Sequence, residues 1–302
     1  MNLPKGIEIN NLIHSLRTFC WEAADILTYY SRKMRDPSDK KKILKNVNED
    51  DPVTLADLMV NEIIIKRIKE SYKDVDWEIL SEENVKMSAG NCDFNSDWLW
   101  ILDPLDGTKD FIQGTKNYAM HLGLNYKKKP LLGLVLIPEK NELWFAYGET
   151  VWGEKRDGSK IELNLSKNKN IRDMTLVTSK NHRNQTLNNL IQKINFNEVL
   201  LMGSIGCKIA SILRGESNIY ISLSLPGKSS PKDWDFAAPE AILKGAGGSI
   251  TNLNNEELIY NQSNFEQQGI IVASSDKNLH KDICMQIKEI IEKDDVLFSS
   301  LN

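Results

Sequence analysis

The feature that most constrains this chain is an apolar stretch that runs directly into a tight acidic turn, at residues 98–111 (WLWILDPLDGTKDF). Asp103 and Asp106 close the apolar run, where a strand would end, and such strand ends are well placed for a ligand site. Together with the carbonyl of Leu105 they supply hard oxygen ligands, which suit Mg²⁺ better than a soft metal. This stretch therefore predicts a strand whose end holds a divalent cation.

The backbone of the turn is predicted to be rigid. Pro104 fixes one backbone angle, and Gly107 permits a conformation that would strain other residues. The amides of Gly107 and Thr108 could then hold a phosphate oxygen, especially if a helix begins there. An ordinary loop is the alternative, because Asp-Pro and Asp-Gly are among the commonest turn dipeptides.

Further acidic residues are candidates for the same site. Glu82 and Glu83 follow a short apolar strand, although paired glutamates are also typical of a solvated loop. Asp233 and Asp235 lead into an alanine-rich helix, and either could be its N-cap instead of a metal ligand. Small side chains would let this helix approach a sheet closely: Ala237, Ala238 and Ala241.

Asp57 lies three residues after Thr54, which fits a capping box at the start of a helix. A structural cap is therefore the first interpretation of Asp57 from local sequence. The functional alternative is a base, or the partner of a base, at the metal site.

The composition is that of a globular chain: 302 residues, 41% hydrophobic and 26% charged, with a formal net charge of −4. This balance argues against disorder, and no apolar run approaches the ~20 residues of a membrane span. The sequence has no block of basic residues, which argues against binding to a nucleic acid polymer. The cysteines, at positions 20, 92, 207 and 284, and the histidines are too scattered for a zinc site. Residues 1–11 do not resemble a secretory signal, so reduced thiols and a cytoplasmic location are expected.

Hydrophobic periodicity predicts two parts, at residues 1–170 and 171–302, joined by a polar segment at 166–172. The first part is expected to begin with a helix over 7–32, an exposed polar loop over 35–51 and a second helix from Thr54. The inner stripe of that second helix is predicted to be Leu55, Leu58, Met59, Ile63 and Ile68.

Strand signals then set the fold class, an α+β part followed by an α/β part. Strands are predicted at 78–81, 98–103, 118–126, 130–137 and 142–147, with an antiparallel hairpin turn at 127–129. In the second part, strands at 175–178, 199–202, 219–223 and 269–273 alternate with helices near 184–194, 205–213, 235–245 and 276–291.

Four motifs in this order resemble those of the inositol monophosphatase superfamily, a group of metal-dependent, lithium-sensitive phosphatases. They are Pro52-Val53-Thr54…Asp57, Leu80-Ser81-Glu82-Glu83, the segment from Asp103 to Phe111, and Trp234-Asp235…Glu240-Ala241. With the Gly-Gly turn that follows they span residues 52–248, and the helical start and the C-terminal strand and helix also fit. The resemblance implies a layered α-β-α-β-α sandwich.

The resemblance also implies a role for each site residue. The Mg²⁺ ligands would be Glu82, Asp103, the Leu105 carbonyl, Asp106 and Asp235. Thr108 and Asp57 match the pair that activates the nucleophilic water. Four carboxylates around one point repel one another, so two or more Mg²⁺ ions are expected in the working state.

Within the superfamily, Lys109 after Gly107-Thr108 resembles the 3′(2′),5′-bisphosphate nucleotidases. A strand-end segment at 177–182 and a helix start at 203–209 also look like that branch. The substrate contacts that this implies are Glu82, Gly107, Thr108, Ser179, His182, Gly206, Lys208 and Asp235. Taken alone, His182 would be a surface histidine and Lys208 a solvated helix residue.

Two departures from the branch leave the substrate open. Lys45 lies seven residues before Pro52, and Asp51 stands where bacterial members often have Ser. Residues 227–232 form a longer, more basic approach to Trp234 than many members have.

The nucleotidase resemblance implies hydrolysis of adenosine 3′,5′-bisphosphate to AMP and phosphate, which the family links to sulfate assimilation, with 3′-phosphoadenylyl sulfate as a second substrate. The alternatives are a phosphatase for inositol phosphate or a sugar bisphosphate, and a non-catalytic nucleotide or Mg²⁺ sensor. In each case the partner is a small phosphorylated molecule and not a membrane, and the chain is a monomer or a homodimer.

Overall fold

A computed structural model of the chain describes residues 3–46, 52–88 and 93–301, so Asp51, Cys92 and part of the predicted 35–51 loop lie outside the described residues. The helices of this part are α1 (Ile9–Lys33), α2 (Pro37–Ile43), α3 (Leu55–Ser71), α4 (Glu82–Met87), α5 (Thr108–Ile112), α6 (Gln185–Ile194), α7 (Ile205–Leu213), α8 (Asp233–Gly245), α9 (Lys277–Glu292) and α10 (Asp295–Leu301). The strands are β1 (Leu44–Asn46), β2 (Val53–Thr54), β3 (Glu78–Ser81), β4 (Trp98–Asp106), β5 (Ala119–Tyr126), β6 (Lys129–Ile137), β7 (Glu142–Tyr147), β8 (Thr150–Lys155), β9 (Lys160–Ile161), β10 (Thr175–Ser179), β11 (Glu198–Met202), β12 (Ile219–Ser224), β13 (Ser249–Asn252) and β14 (Gly269–Ser274).

The strands form two large sheets and one short pair. β3 to β9 make a seven-stranded sheet in chain order, in which only the β3–β4 pair is parallel. The second sheet has the order β11-β10-β12-β14-β13, with β10 parallel to both of its neighbours. The predicted hairpin joins β5 and β6, and Lys127 and Lys128 at its turn both have positive φ. The antiparallel sheet of the first part is confirmed.

The helices and sheets stack in five layers. Trp100 and Leu102 of β4 pack with α1 and α3, whereas Leu99 and Ile101 point to the other face, against α7 and α8. The five-stranded sheet covers the far side of α7 and α8, and α6 and α9 close its outer face. This order confirms the α-β-α-β-α sandwich, with one helical layer shared by both sheets.

Small residues allow α8 to lie directly on the seven-stranded sheet. A Cβ on Gly133 would lie 2.5 Å from the carbonyl oxygen of Ala238 and 2.9 Å from the Cβ of Ala241. On the next strand, a Cβ on Gly123 would lie 3.1 Å from that of Ala237. The close approach expected from the alanines of α8 is thus confirmed, and the glycines of β5 and β6 are its other half.

Two predictions for the N-terminal region were wrong. The expected exposed loop contains α2, which begins with Asp36 as N-cap and Pro37 in its first turn and buries Ile43. The buried stripe of α3 is Ala56, Val60, Ile64 and Ile68, so only Ile68 of the predicted set is buried, and Met59 is exposed. Because α3 is apolar around much of its circumference, its packing against α1 determines which face is buried. The size of the side chains does not determine it.

Other elements were missed or bounded differently. The other elements that were not predicted are β1, β2, α4, β8, β9, β13 and α10, and β4 runs three residues beyond its expected end, to Asp106. The described cysteines, Cys20, Cys207 and Cys284, are buried free thiols, as expected. No helix in the described ranges has both the length and the apolar character needed to span a membrane.

Candidate active site

The acidic turn lies at the end of β4, where the ladder to β5 is irregular between Asp103 and Asp106. Asp103 is 2% exposed, and its Oδ1 accepts a hydrogen bond of 3.0 Å from the N–H of Leu105. Gly107 follows with a φ of +87°, and a Cβ there would lie 2.9 Å from the carbonyl oxygen of Asn117. The turn therefore requires glycine, and α5 begins at the next residue, as the sequence suggested.

The first turn of α8 brings Asp235 to the same point. Ligand atoms of Asp103, Asp106 and Asp235 all lie within 4.8 Å of one another. Asp235 is not the N-cap of α8; Lys232 is, and its N–H donates to Asp235 Oδ2 at 2.5 Å. Glu82 opens α4 beside this cluster, where it shares a side-chain hydrogen bond with Asp103.

The electrostatics of this cluster fit a divalent cation. Burial raises the pKa of Asp103 well above its usual range, and the neighbouring Glu82, Asp106 and Asp235 raise it further. Burial likewise raises the pKa of Asp235, with Asp106 as the strongest charged neighbour. Carboxylates that repel one another in a buried place are stabilised when a hard cation lies between them. The donor set, all oxygen, is of the kind that Mg²⁺ prefers.

Asp57 lies behind this cluster, at the start of α3. Its Oδ2 accepts hydrogen bonds from the N–H and the hydroxyl of Thr54, at 2.9 and 2.5 Å, which is the predicted capping box. Its Oδ1 lies 3.4 Å from the hydroxyl of Thr108, which donates more closely, at 3.0 Å, to the carbonyl of Leu105. Burial raises the pKa of Asp57 to about 8, against the lowering effect of Thr54. Asp57 is thus both a helix cap and the neighbour of Thr108.

A cavity of about 540 Å³ opens over these groups. The predicted site residues that line it are Glu82, Asp103, Leu105, Asp106, Gly107, Thr108, Ser179, His182, Lys208 and Asp235. Asp57 and Gly206 do not line it. The structure therefore brings ten of the twelve predicted residues to one cavity and puts Asp57 in the layer behind Thr108. Their roles in binding and catalysis stay predictions.

Comparison with known proteins identifies the family. The sequence profile described as the inositol monophosphatase family matches residues 10–292. The chain belongs to this family. The match covers both sheets and every element that contributes to the cavity.

Named relatives agree with the family. The 3′(2′),5′-bisphosphate nucleotidase CysQ of Buchnera aphidicola is 31% identical over 214 residues, which cover 70% of this chain and 75% of the relative. The Nus factor SuhB of Pasteurella multocida is 30% identical over 227 residues, covering 72% and 76% of the two chains. The crystal structure of inositol monophosphatase-II from Staphylococcus aureus is similar in fold, with a TM-score of 0.72, 21% identity and coverage of 96% and 97%.

Membership in the inositol monophosphatase family indicates a phosphatase that acts on small phosphorylated substrates. The family is generally metal-dependent, and the cluster of Asp103, Asp106 and Asp235 could bind metal. The CysQ relatives support the nucleotidase branch that the motifs resemble.

Gly206 has a different position from the one predicted for a substrate contact. Its N–H donates to His121 Nε2 at 3.1 Å, and a Cβ there would lie only 2.3 Å from that nitrogen. The ring of His121 is fully buried, and its Nδ1–H donates to the carbonyl of Trp234 at 3.3 Å. Gly206 is therefore a packing position beneath the cavity.

His121 was not predicted as a site residue, because the sequence offers only a lone histidine in an apolar strand. It pairs with Asp103 across the β4–β5 ladder, and its Nε2 lies 3.2 Å from Asp106 Oδ2. Burial lowers its pKa, which keeps the ring neutral despite this carboxylate. The signal that could have found it is its position on β5 opposite the first aspartate of the acidic turn.

Besides the aspartates, the cavity is lined by the buried cation Lys208 and by several hydroxyl groups. Lys208 is 3% exposed, burial lowers its pKa, and its Nζ lies 5.4 Å from the centre of the Tyr220 ring. His182 is exposed at the rim. Further lining residues that were not predicted include Tyr220, Ser222 and Ser224 of β12, and no sequence signal marks them. Ser229 and Ser230 also line the cavity, and they belong to the segment 227–232 that the sequence had already singled out.

Proposed function

We propose that this chain removes the 3′-phosphate of adenosine 3′,5′-bisphosphate, giving AMP and phosphate, with Mg²⁺ as cofactor. The observation that carries the proposal is the cluster of three aspartates in a cavity that the buried Lys208 also lines. A carboxylate cluster suits a cation-bound phosphate, and a buried lysine in the same cavity suits a second anionic group on the same substrate. The sulfated nucleotide, 3′-phosphoadenylyl sulfate, is proposed as a second substrate.

Asp103, Asp106 and Asp235 would hold Mg²⁺, with Glu82 and the Leu105 carbonyl, which line the same cavity, as further ligands. Bound Mg²⁺ would neutralise the substrate phosphate and stabilise the attacking and leaving oxygens. The rigid turn at Gly107 keeps the two β4 aspartates at a fixed spacing. The catalytic effect of the protein is then mainly positioning and charge neutralisation, which dominate phosphoryl transfer.

Thr108 and Asp57 would orient the attacking water and take its proton. In this arrangement the Thr108 oxygen accepts a hydrogen bond from the water, while its own hydroxyl proton turns from the Leu105 carbonyl to Asp57. Asp57 must be ionised for this role, although burial raises its pKa to about 8. A nearby cation lowers the pKa of a carboxylate, so occupation of the metal site would prepare the base.

A phosphatase for inositol phosphate or a sugar bisphosphate is the second candidate, and the serines that line the cavity favour it. Ser222, Ser224 and Ser230 offer hydroxyl groups, which suit the hydroxyls of a polyol as well as a nucleotide. Both candidates would use the same metal ligands. They would differ only in the part of the substrate that the other cavity residues recognise.

Phosphate release from three substrates separates these functions. Adenosine 3′,5′-bisphosphate, inositol 1-phosphate and fructose 1,6-bisphosphate would be compared with Mg²⁺, with EDTA and with Mg²⁺ plus Li⁺. We expect the nucleotide to have the highest kcat/KM and Li⁺ to inhibit. Preference for either other substrate would overturn the nucleotidase proposal, and no release by the folded protein would favour a sensor.

Replacement of the buried Lys208 tests whether this residue contributes to substrate specificity. Lys208→Gln should lower kcat/KM for adenosine 3′,5′-bisphosphate by about 10- to 100-fold, because a buried charged hydrogen bond to a second phosphate is worth roughly 1.5–3 kcal/mol. Inositol 1-phosphate, which has one phosphate, should be affected much less. Lys180→Gln is the matched control, since Lys180 is exposed and bonded to Gln113 at 2.9 Å. Equal losses for both substrates would contradict this role of Lys208.

A further inference from the structure

A second pocket, of about 280 Å³, lies at the opposite end of β4 from the aspartates. Leu99 and Asn125, which pair across the β4–β5 ladder, lie in its wall with Phe94, and Lys127 and Lys128 of the hairpin turn also line it. Asp103 is four residues further along β4, so the two sites are separated by about 13 Å of strand. This pocket is distinct from the proposed active site.

The pocket contains a buried side chain with no partner for either of its polar atoms. Asn125 is 1% exposed, and in the described part of the chain neither its Nδ2 nor its Oδ1 has a hydrogen-bond partner. Among the described residues no other side chain has two such atoms. A buried amide without partners destabilises a fold, so its partner is expected to come from outside the described residues, and a bound ligand is one such partner.

The other residues of the pocket narrow the chemistry of that partner. The carboxamide of Asn125 matches a group that presents a donor and an acceptor side by side, such as the edge of a nucleobase. Phe94 and Leu99 supply apolar surface for a flat ring. Lys127 and Lys128 are exposed at the mouth, where they suit an anion.

We propose that this pocket binds a nucleoside monophosphate, with the base edge on Asn125 and the phosphate at Lys127 and Lys128. Asp97 also lies at the mouth, but its Oδ2 is 3.8 Å from Lys127 Nζ, and both side chains are exposed, so this ion pair is weak. Asn261 joins the pocket to α8, because its N–H donates to Asp233 Oδ2 at 2.6 Å. Binding at this pocket is independent of the proposed phosphatase activity.

The test uses AMP as the probe and the full chain in EDTA, where binding at the aspartate cluster is weakened. Calorimetric titration would compare the wild type, Asn125→Leu and the control Asn95→Ala, whose side chain is exposed at the same pocket. We expect Asn125→Leu to weaken AMP binding at least tenfold and to raise the midpoint of thermal unfolding, because it removes the unpartnered amide. Asn95→Ala should do neither.

Two further arms identify the recognised groups and the place of binding. Ribose 5-phosphate, which lacks the base, should bind more weakly than AMP and be insensitive to Asn125→Leu. Wild-type crystals soaked with AMP should show the base on the Asn125 amide, a result that needs no folded variant. AMP binding unchanged by Asn125→Leu, or crystals with ordered water only on Asn125, would overturn the proposal.

Discussion

Each of the four aspartates of the proposed site has one oxygen held by a backbone N–H. Asp103 accepts from Leu105, Asp235 from Lys232, Asp57 from Thr54, and Asp106 from Ile205. A backbone donor fixes a carboxylate more firmly than a flexible side chain does, and it leaves the second oxygen for another ligand. The site is therefore largely formed before any cation or substrate binds.

His121 is the residue whose replacement best tests this positioning. Its ring bonds the first turn of α7 through Gly206 and the first turn of α8 through Trp234. His121→Leu keeps similar bulk but loses both bonds, and should raise the Mg²⁺ concentration for half-maximal phosphate release about 10-fold or more, as loss of an outer-shell partner does. The maximal rate at saturating Mg²⁺ should fall much less.

A variant that keeps one of the two hydrogen bonds separates the positioning effect of His121 from its packing effect. His121→Asn can still donate to the Trp234 carbonyl, so its Mg²⁺ requirement should lie between those of the wild type and His121→Leu. An unchanged Mg²⁺ requirement in His121→Leu would contradict the positioning role.

At the scale of elements, α8 carries Asp235 and rests on glycines of the sheet. Gly133→Ala would place a Cβ 2.5 Å from the carbonyl oxygen of Ala238, so α8 must shift. We expect a loss of about 1–3 kcal/mol in the free energy of unfolding, typical of overpacking, together with a higher Mg²⁺ requirement. Chemical unfolding and Mg²⁺ titration of phosphate release measure the two effects.

Gly153→Ala is the matched control for this prediction. A Cβ on Gly153 would lie 2.7 Å from the ring of Trp144, on β7 of the same sheet. Stability should therefore fall by a similar amount, while the Mg²⁺ requirement stays that of the wild type. Equal shifts in Mg²⁺ requirement for both variants would show that Gly133 does not act through α8.

Sequence patterns predicted elements well where periodicity and turn chemistry agree. The bounds of β3, β7 and α7 match the predicted ones, since each is an apolar run with clear limits. The miss at α2 was avoidable, because Asp36 followed by Pro37 is a helix-start signal. The buried face of α3 was not predictable, since contact with α1 sets it.

The same limit applies to the site. Glu82, Asp103, Asp106 and Asp235 follow local motifs, so the sequence could predict that they lie together, whereas Asp110, which also lines the cavity, was not predicted as a site residue. The contacts that organise these carboxylates do not follow from local motifs. The bond between Gly206 and His121 joins residues 85 positions apart, nothing local marks His121, and the motif around Gly206 predicted a substrate contact instead. The serines of β12 and the loop after it become a wall of the cavity only when the two parts of the chain pack together.

At the scale of the whole molecule, the buried acids link stability to pH and to Mg²⁺. The pKa of Asp57 is about 8 when folded and near 3.8 when unfolded, and those of Asp103 and Asp235 are raised as well. The metal-free folded state thus holds protons that the unfolded state releases, and its free energy of unfolding should fall as pH rises from about 6.5 to about 8. Each titrating group contributes up to about 1.4 kcal/mol per pH unit.

Thermal unfolding in EDTA and in Mg²⁺ across this window measures the linkage. Mg²⁺ replaces the protons, so its stabilising effect should increase with pH, and Asp57→Asn should flatten the curve in EDTA. The window begins at 6.5 because burial lowers the pKa of His280 to about 4, which weakens the fold in acid. A metal-free protein that becomes more stable between pH 6.5 and 8 would contradict the predicted burial of these acids.

The Mg²⁺ dependence of phosphate release by the wild type and Asp103→Asn is the decisive test of a metal-dependent phosphatase site at the acidic turn. With adenosine 3′,5′-bisphosphate, wild-type turnover should rise to saturation with Mg²⁺ and vanish in EDTA. Asp103→Asn should lose at least about 10³-fold in turnover, because it lacks a carboxylate ligand of the Mg²⁺ that would stabilise the reacting phosphate, and should unfold at the same or a higher temperature. Asp74→Asn, at an exposed position, should behave as the wild type. Wild-type rates in Asp103→Asn, or in EDTA, would contradict the account.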